Sequence, residues 1–344
     1  MANNDRSSVV AEQTDSVNGH RSTKVIEAAQ QYINKGYAVV PMPGGSKAPQ
    51  EKDWQKKKYG AIDFTPGDNI GIKPADGLVD VDLDVPEAVE LARTLLPGTD
   101  MVSGHAGNPY SHYWYCADGT LSQKYTDIDK TMLIERRASG VQTVVYPSIH
   151  PDGHQYQWYR DGVEKSVDAS ILTELTEQLA ATTLVARHWP KEQGSRHEFA
   201  LGVAGFLTKG GYDAEKVVAI VEDAARVSGD DEVGDRATAA QTTVERDPDS
   251  IKGQSVLVDI LGQKEAYALT GKLTQWLHLK KQPKEKQEAP KSEPVFEFTT
   301  FDQIEVKKPV WLWKGYLPLG KISIIDAAPN QGKSLVLRSL SVIK

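Results

Sequence analysis

An α/β domain followed by an all-helical region is the fold that this sequence predicts. Residues 78–85 alternate aliphatic and acidic side chains with the period of two that is typical of a strand, and a helix-like segment follows over 86–96. Beyond residue 166 the apolar residues recur at the 3.6-residue spacing of helices, over 168–185, 194–208, 213–227 and 232–246. We therefore place the α/β domain at 23–165 and an all-α accessory domain at 166–278.

The other elements of the α/β domain follow in chain order. Residues 1–22 are rich in Asn, Ser, Asp and Gln and predict a disordered tail. An amphipathic helix is expected over 24–35, since Gly36 is a good stop, and a short buried strand over 37–41. Turn-rich loops separate the remaining strands, which we expect over 78–85, 111–116, 131–137, 141–147 and 154–158.

The composition excludes several classes of protein. No apolar run is long enough to span a bilayer and the N-terminus is polar, so the sequence predicts a cytoplasmic protein with no membrane partner. Cys116 is the single cysteine, which excludes a disulfide within the chain and a thiolate zinc site, so no zinc is expected. The net charge of −7 argues against a protein that simply coats nucleic acid. Basic clusters at 47–58 and 187–197 still allow an acidic metal site to act on nucleic acid.

Three carboxylates on strand 78–85 are the strongest functional feature. Because successive side chains of a strand point to opposite faces, Asp80, Asp82 and Asp84 share one face and the aliphatic residues share the other. Carboxylates this close raise each other's pKa unless a cation neutralises them, so the pattern favours a divalent-metal site. The alternative is a solvated strand edge whose aspartates serve solubility.

A second acidic strand and a histidine support the metal site. Glu135 and Arg137 share one face of strand 131–137, with Ile134 on the other. Between the two acidic strands lies the aromatic segment 109–115, which contains His112. His112 is a candidate donor to a triphosphate, and the alternative is a half-buried histidine with ordinary hydrogen bonds.

A phosphate-binding loop is expected near the end of the chain. Residues 326–334 follow an apolar strand and precede a helix-like segment, which is the context that such a loop requires. Gly332 and Lys333 would contact phosphate and Ser334 would bind magnesium, although Ala327 replaces the usual first glycine.

The rest of an ATPase does not follow this loop. A second acidic strand would be needed to hold the magnesium, and none comes after Ser334. We therefore expect 298–344 to be the truncated start of a further domain, joined by a charged, proline-containing linker at 279–297.

The order of these motifs resembles that of the bifunctional DNA primase/polymerase domains, which belong to the archaeo-eukaryotic primase superfamily and occur in phage and plasmid replication proteins. Over 25–158 an Asp-x-Asp strand is followed by a histidine strand, by an acidic residue two before an arginine, and by Gln-Thr-Val-Val-x-Pro-Ser-x-His-Pro from Gln142. Lys47, Pro49 and Trp54 are similar to the family's Lys-x-Pro and tryptophan. The resemblance implies an RRM-like catalytic core. The helical region resembles the accessory domain that follows it, and 311–344 resembles the start of a RecA-like replicative helicase.

The resemblance also implies which residues form the site. Asp82 and Asp84 correspond to the paired metal ligands, and we rank both above Asp80 for this role. Glu135 corresponds to the third metal-binding carboxylate, and His112 corresponds to the nucleotide-binding histidine. The other candidates to bind the nucleotide are Lys47, Ser111, Arg137, Gln142, Ser148 and His150.

Two positions depart from the family pattern. Tyr110 stands where serine is frequent, with Ser111 next to it, and Glu135 stands where aspartate is frequent. Because glutamate is longer than aspartate by one methylene, the second departure keeps the chemistry of a metal ligand.

The function implied is that of a primase/polymerase in a primase-helicase. It would synthesise primers on single-stranded DNA and extend them with NTPs or dNTPs, using two Mg²⁺ or Mn²⁺ ions. The longer protein would oligomerise through its helicase domain and, if phage-encoded, work in the bacterial cytoplasm. Two alternatives remain open from the residues alone: a metal-dependent nuclease, which three carboxylates would serve equally, and a non-catalytic module for DNA binding and helicase assembly.

Overall fold

A computed structural model describes residues 24–280, 310–314 and 316–318. Its first half is rich in strands, as predicted. Helix α1 covers 24–34 and α2 covers Pro86–Leu95. The strands are β1 (Ala38–Met42), β2 (Asn69–Lys73), β3 (Leu78–Leu83), β4 (Met101–His105), β5 (Asn108–Cys116), β6 (Gln123–Thr126), β7 (Met132–Arg137), β8 (Thr143–Val145), β9 (Tyr156–Asp161) and β10 (Lys165–Ser166).

Two sheets organise these strands, and β3 lies inside the larger one. The seven-stranded sheet has the order β6-β7-β3-β5-β4-β9, with β10 pairing alongside β5. Neighbours along this order are antiparallel, whereas β10 and β5 are parallel. The three-stranded sheet has the order β1-β2-β8 and is antiparallel.

The alternation of β3 sorts its side chains between two hydrophobic clusters. Val79, Val81 and Leu83 belong to the cluster that includes residues of α2 and of the later helices. On the opposite face, Leu78 belongs to the cluster formed with α1 and the small sheet, which also contains Trp114 of β5. The acidic residues of β3 therefore share the face that the small sheet covers in part.

The second half is helical, but it does not form a core of its own. The helices are α3 (Ala169–Arg187), α4 (Gln193–Lys209), α5 (Ala214–Val227), α6 (Val233–Val244), α7 (Gln254–Leu261) and α8 (Gln263–Trp276). Their buried side chains share one hydrophobic cluster with the sheet, and 24–280 lie in one compact unit. The expected accessory domain is thus packed on the sheet rather than separate from it, because the apolar face of α3 covers strand β7 and helix α2.

Several expected segments lie outside the described residues. These are the tail at 1–22, the linker beyond Lys280 and the phosphate-binding loop with Gly332, Lys333 and Ser334. From the second unit only the short antiparallel pair β11 (Trp311–Trp313) and β12 (Leu317–Pro318) is described. Among the described helices, none combines the length and the apolar character needed to cross a bilayer.

A buried carboxylate ties the sheet to the helices. Asp127, in the turn between β6 and β7, is 4% exposed. Its oxygens lie 2.6 Å from Arg187 Nε and 2.7 Å from His188 Nε2, at the end of α3. His188 Nδ1 lies 2.7 Å from Glu265 Oε1 on α8. Burial alone would raise the pKa of Asp127, but its hydrogen bonds to His188 and Arg187 outweigh burial and lower the pKa.

We expect Asp127→Ala to lower the free energy of unfolding by about 3 kcal/mol, because it leaves Arg187 and His188 partly buried without their carboxylate. Asp129→Ala, two residues away on the exposed part of the same turn, is the matched control and should change stability by less than about 1 kcal/mol. Urea unfolding followed by circular dichroism measures both. Equal stability of the two variants would mean that the network does not hold the helices to the sheet.

Candidate functional site

The sheet brings three of the predicted residues into one row. Asp82 of β3 is directly opposite His112 of β5 on one side and directly opposite Glu135 of β7 on the other. Directly opposed residues of antiparallel strands project from the same face, about 4.5–5.5 Å apart at Cβ. Two strands that are distant in sequence thus place a histidine and a glutamate beside the same aspartate.

Arg137 lies among these acidic residues and compensates their charge. Its Nη2 is 2.5 Å from Asp82 Oδ2 and 2.8 Å from Glu135 Oε2. Its Nη1 is 3.7 Å from Asp80 Oδ2. Burial alone would lower the pKa of Arg137, but the carboxylates of Asp82, Asp80 and Glu135 outweigh burial and raise it. The guanidinium is therefore a fixed positive charge at the centre of the acidic face.

Asp80 is fully buried and holds His112 in place. Its Oδ2 lies 3.0 Å from His112 Nδ1 and accepts a hydrogen bond of 2.6 Å from Thr143 Oγ1. Its Oδ1 is buried and has no hydrogen-bond partner within the described residues. Burial alone would lower the pKa of His112, but Asp82 and Asp80 outweigh burial and raise it, which favours the imidazolium. Asp80 thus orients the histidine and, together with Asp82, raises its pKa.

Asp84 follows the end of β3 and is exposed. Its backbone amide donates a 2.9 Å hydrogen bond to Leu133 O, so the backbone continues to pair with β7. Desolvation in the pocket and the nearby carboxylate of Asp82 raise the pKa of Asp84 to about 7. Burial alone would also raise the pKa of Asp82, but Arg137 and His112 outweigh burial and lower it. The pKa values of these two aspartates are therefore shifted in opposite directions.

A small polar cavity opens in front of the acidic face. Its volume is about 100 Å³. The predicted residues that line it are Lys47, Asp82, Asp84, Ser111, His112, Arg137 and Gln142, together with His105, Asn108, Val144 and Tyr156. Gln142 Nε2 donates to Lys47 O at 2.6 Å, which fixes the loop that carries Lys47 over the cavity.

Two candidates for nucleotide binding lie outside the lining of this cavity. The Ser148 hydroxyl is buried and accepts a 2.7 Å hydrogen bond from Ile70 N of β2, so it joins the small sheet to the following loop. The His150 ring stacks on His105, with ring centroids 4.1 Å apart. His105 lines the cavity, so His150 reaches the cavity only through that neighbour.

A larger cleft lies elsewhere, between the sheet and the helices. Its volume is about 580 Å³, and Arg136, Glu177, Tyr212 and Trp276 are among its lining residues. Arg136 precedes Arg137 in β7 and therefore projects from the other face of the sheet. We assign the functional site to the smaller cavity, because the buried carboxylates, their counter-charges and the perturbed pKa values all gather there.

The sequence interpretation missed five residues at or beside the cavity. These are Thr143, which bonds Asp80, and the lining residues His105, Asn108, Val144 and Tyr156. The sequence interpretation also assigned Asp80 no role other than that of a third acid on the strand face. The sequence could have indicated this role of Asp80. It lies on the same face as Asp82 and nearer the middle of the strand, and a buried aspartate needs a hydrogen-bond donor beside it.

The acidic residues fit a divalent ion. Asp82, Asp84 and Glu135 offer carboxylate oxygens, which are the ligands that Mg²⁺ and Mn²⁺ prefer. The guanidinium of Arg137 stands between Asp82 and Glu135, so a metal ion at this position would have to replace it. The mutual repulsion of Asp82 and Asp84 gives a further reason for a cation to bind beside them.

One protein family matches this part of the chain. The family model described as Bifunctional DNA primase/polymerase, N-terminal matches residues 29–177, which contain the whole cavity. No curated protein matches the chain.

In protein free of divalent ions, we expect the Asp84 carboxyl to titrate near pH 7, and we expect Asp82→Asn to lower the pKa of Asp84 because it removes the neighbouring negative charge. Carbon-detected NMR titration of the aspartate carboxyls measures both values. Asp100→Asn, in the turn before β4, is the control and should leave the Asp84 titration unchanged. An Asp84 pKa near 4 in the unsubstituted protein would contradict this assignment.

Proposed function

We propose that this chain joins nucleotides on a DNA template, starting primers and extending them, because residues 29–177 match the bifunctional DNA primase/polymerase N-terminal family model. The row formed by Asp82, His112 and Glu135, with Asp84 at its edge, is the observation that supports the proposal most. It places three carboxylates beside a histidine that can donate to phosphate, and Asp82, Asp84 and His112 of this group line the cavity, whereas Glu135 lies outside its lining. Asp82, Asp84, Glu135 and His112 are the proposed catalytic residues.

The carboxylates of Asp82, Asp84 and Glu135 would hold two Mg²⁺ or Mn²⁺ ions. When bound, such ions lower the pKa of an attacking hydroxyl and neutralise a leaving pyrophosphate. Asp82 is ready to bind because Arg137 and His112 keep it ionised. Asp84, with its pKa raised to about 7, would lose its proton as a cation binds.

The cationic side chains of the cavity would hold the triphosphate. Asp80 accepts from His112 Nδ1, so Nε2 of the imidazolium remains to donate to a phosphate oxygen. Arg137 would move from the carboxylates to the triphosphate once metal ions compensate them, and its planar fork suits bidentate contact with phosphate. Lys47, Ser111 and Gln142 line the same cavity and would complete the nucleotide site. Ser148 and His150 would support it from outside the lining.

The remaining parts of the proposal rest on the family likeness. The core would be RRM-like, and helices α3 to α8 would help to hold the first two nucleotides on single-stranded DNA. Lys333 and Ser334 would belong to a RecA-like helicase domain, through which the protein would hydrolyse ATP and oligomerise. The proposed partners are single-stranded DNA and nucleoside triphosphates, and the proposed location is the cytoplasm.

We expect Asp82→Ala and Asp84→Ala each to lower nucleotide incorporation by more than roughly 100-fold. Residues that only support a metal ligand typically cost about 10–100-fold when changed, and the loss of a ligand itself should cost more. The assay uses labelled dNTP, a primed template and Mn²⁺, with a second arm of unprimed single-stranded DNA. Asp129→Ala, an exposed acid outside the cavity, should retain full activity.

The same assay separates the alternatives. Shortening of the labelled strand in place of extension would identify a nuclease. Absence of any metal-dependent product from the unsubstituted protein would leave a binding module and overturn the proposal.

We expect His112→Ala and Asp80→Asn each to cost about 10–100-fold in incorporation, with most of the loss at low dNTP concentration, because both changes remove the same oriented donor. The double variant should be little worse than His112→Ala alone, since the two residues act as one unit. Full dNTP titrations give KM and kcat, and melting temperatures exclude unfolding. Additive losses in the double variant would show that Asp80 does not act through His112.

A further inference from the structure

A second cluster of ligand-type side chains lies beside the cavity and contains no member of the three-carboxylate set. It consists of His105 at the end of β4 and of Asp152 and His154, which lie on the turn between Ile149 and Gln155. Each of the three offers one ligand atom, and these atoms all lie within 4.8 Å of one another. His105 is nearly buried, and the other two are exposed.

The turn holds the Asp152 carboxylate in one orientation. Oδ1 accepts a 2.9 Å hydrogen bond from His154 N and lies 2.8 Å from His150 Nδ1. Oδ2 points the other way, 3.1 Å from His154 Nδ1 and 3.8 Å from His105 Nδ1. Two ligands at 2.0–2.1 Å from one tetrahedral ion are about 3.3 Å apart, so these separations are close to those of a metal centre.

His150 supports the cluster and is not a fourth ligand. Its ring stacks on that of His105 at 4.1 Å with an interplanar angle of 14°. Lone pairs in two parallel rings point in parallel directions and do not converge on one ion. Its contact with Asp152 Oδ1 is instead the kind of outer hydrogen bond that orients a ligating carboxylate.

The backbone at Gly107 shapes the floor of this cluster. A Cβ at this position would come within 3.1 Å of His105 Cε1 and 3.2 Å of Asp152 Oδ2. Gly107 N donates a 3.2 Å hydrogen bond to His105 Nδ1, which selects the tautomer with a lone pair on that nitrogen. The same lone pair cannot bind an ion while it accepts from Gly107, so an ion at Nδ1 would replace that hydrogen bond.

We propose that His105, Asp152 and His154 bind one transition-metal ion of the Zn²⁺ type, at a site separate from Asp82, Asp84 and Glu135. Two imidazole nitrogens and one carboxylate suit Zn²⁺ and Co²⁺, whereas Mg²⁺ and Ca²⁺ favour oxygen-only sets. No thiolate is required, so the site is compatible with a chain that has a single cysteine. The ion would fasten the turn at 149–155 to β4 and thereby fix the wall of the cavity that His105 forms. This proposal stands independently of nucleotide transfer.

The test uses Co²⁺ as a spectroscopic probe on the full chain after removal of metals with EDTA. We expect one tightly bound equivalent of Co²⁺ with a visible d–d absorption band, ahead of any weaker binding at the carboxylates of Asp82, Asp84 and Glu135. Zn²⁺ should displace this equivalent, and either ion should raise the melting temperature. His154→Ala and Asp152→Ala, both exposed and therefore tolerated by the fold, should weaken Co²⁺ binding by more than the roughly 10–100-fold expected for His150→Ala.

Two controls make the result decisive. His278→Ala removes an exposed histidine that lies 3.2 Å from Glu177, and it should leave Co²⁺ binding unchanged. Asp84→Ala should leave the affinity and the absorption band of this tight equivalent unchanged, because Asp84 belongs to the carboxylate set. Unchanged Co²⁺ affinity in His154→Ala and Asp152→Ala, or loss of affinity only in Asp84→Ala, would overturn the proposal. Neither result would bear on primer extension.

Discussion

The charge on one face of β3 is the constraint on which the rest of the site depends. Asp80 and Asp82 are buried, and a buried carboxylate is tolerated only with a partner that compensates its desolvation. Arg137 and His112 provide that compensation from the two neighbouring strands. The arrangement requires β3 to lie between β5 and β7, so the topology of the sheet and the electrostatics of the site specify one another.

The two buried acids of β3 consequently have different tasks. Asp80 has its Oδ2 occupied by His112 and Thr143 and is inaccessible, which suits a residue that positions its neighbours. Asp82 lines the cavity, and its shortest ion pair is with the guanidinium of Arg137. A metal ion that replaced Arg137 at Asp82 would leave the hydrogen bonds of Asp80 to His112 and Thr143 in place, while the 3.7 Å ion pair of Arg137 with Asp80 would be lost. Both acids share one face of the strand, but only Asp82 reaches the cavity.

The sequence predicted those parts that depend on local pattern. The alternation over 78–85 predicted β3, and the helical spacing beyond 166 predicted α3 to α6 within a few residues. Strand β2 was missed because its five residues, with a central glycine and a terminal lysine, show no clear alternation. Strand register decides which side chains meet across the sheet. It sets the row that joins Asp82 to His112 and Glu135. The packing of α3 on the sheet and the contact of His105 with Asp152 are tertiary features as well. Register is a tertiary property, and no local pattern reports it.

The central claim is that Asp82, Asp84 and Glu135 bind the ions that act on a nucleotide. The most direct measurement is a crystal structure of the protein with Mn²⁺ and a non-hydrolysable dNTP, using anomalous diffraction to locate manganese. The account predicts anomalous peaks in contact with all three carboxylates, and Arg137 displaced from Asp82 toward the triphosphate. A nucleotide bound in the cavity with Arg137 still bridging Asp82 and Glu135, and no manganese beside those acids, would contradict it.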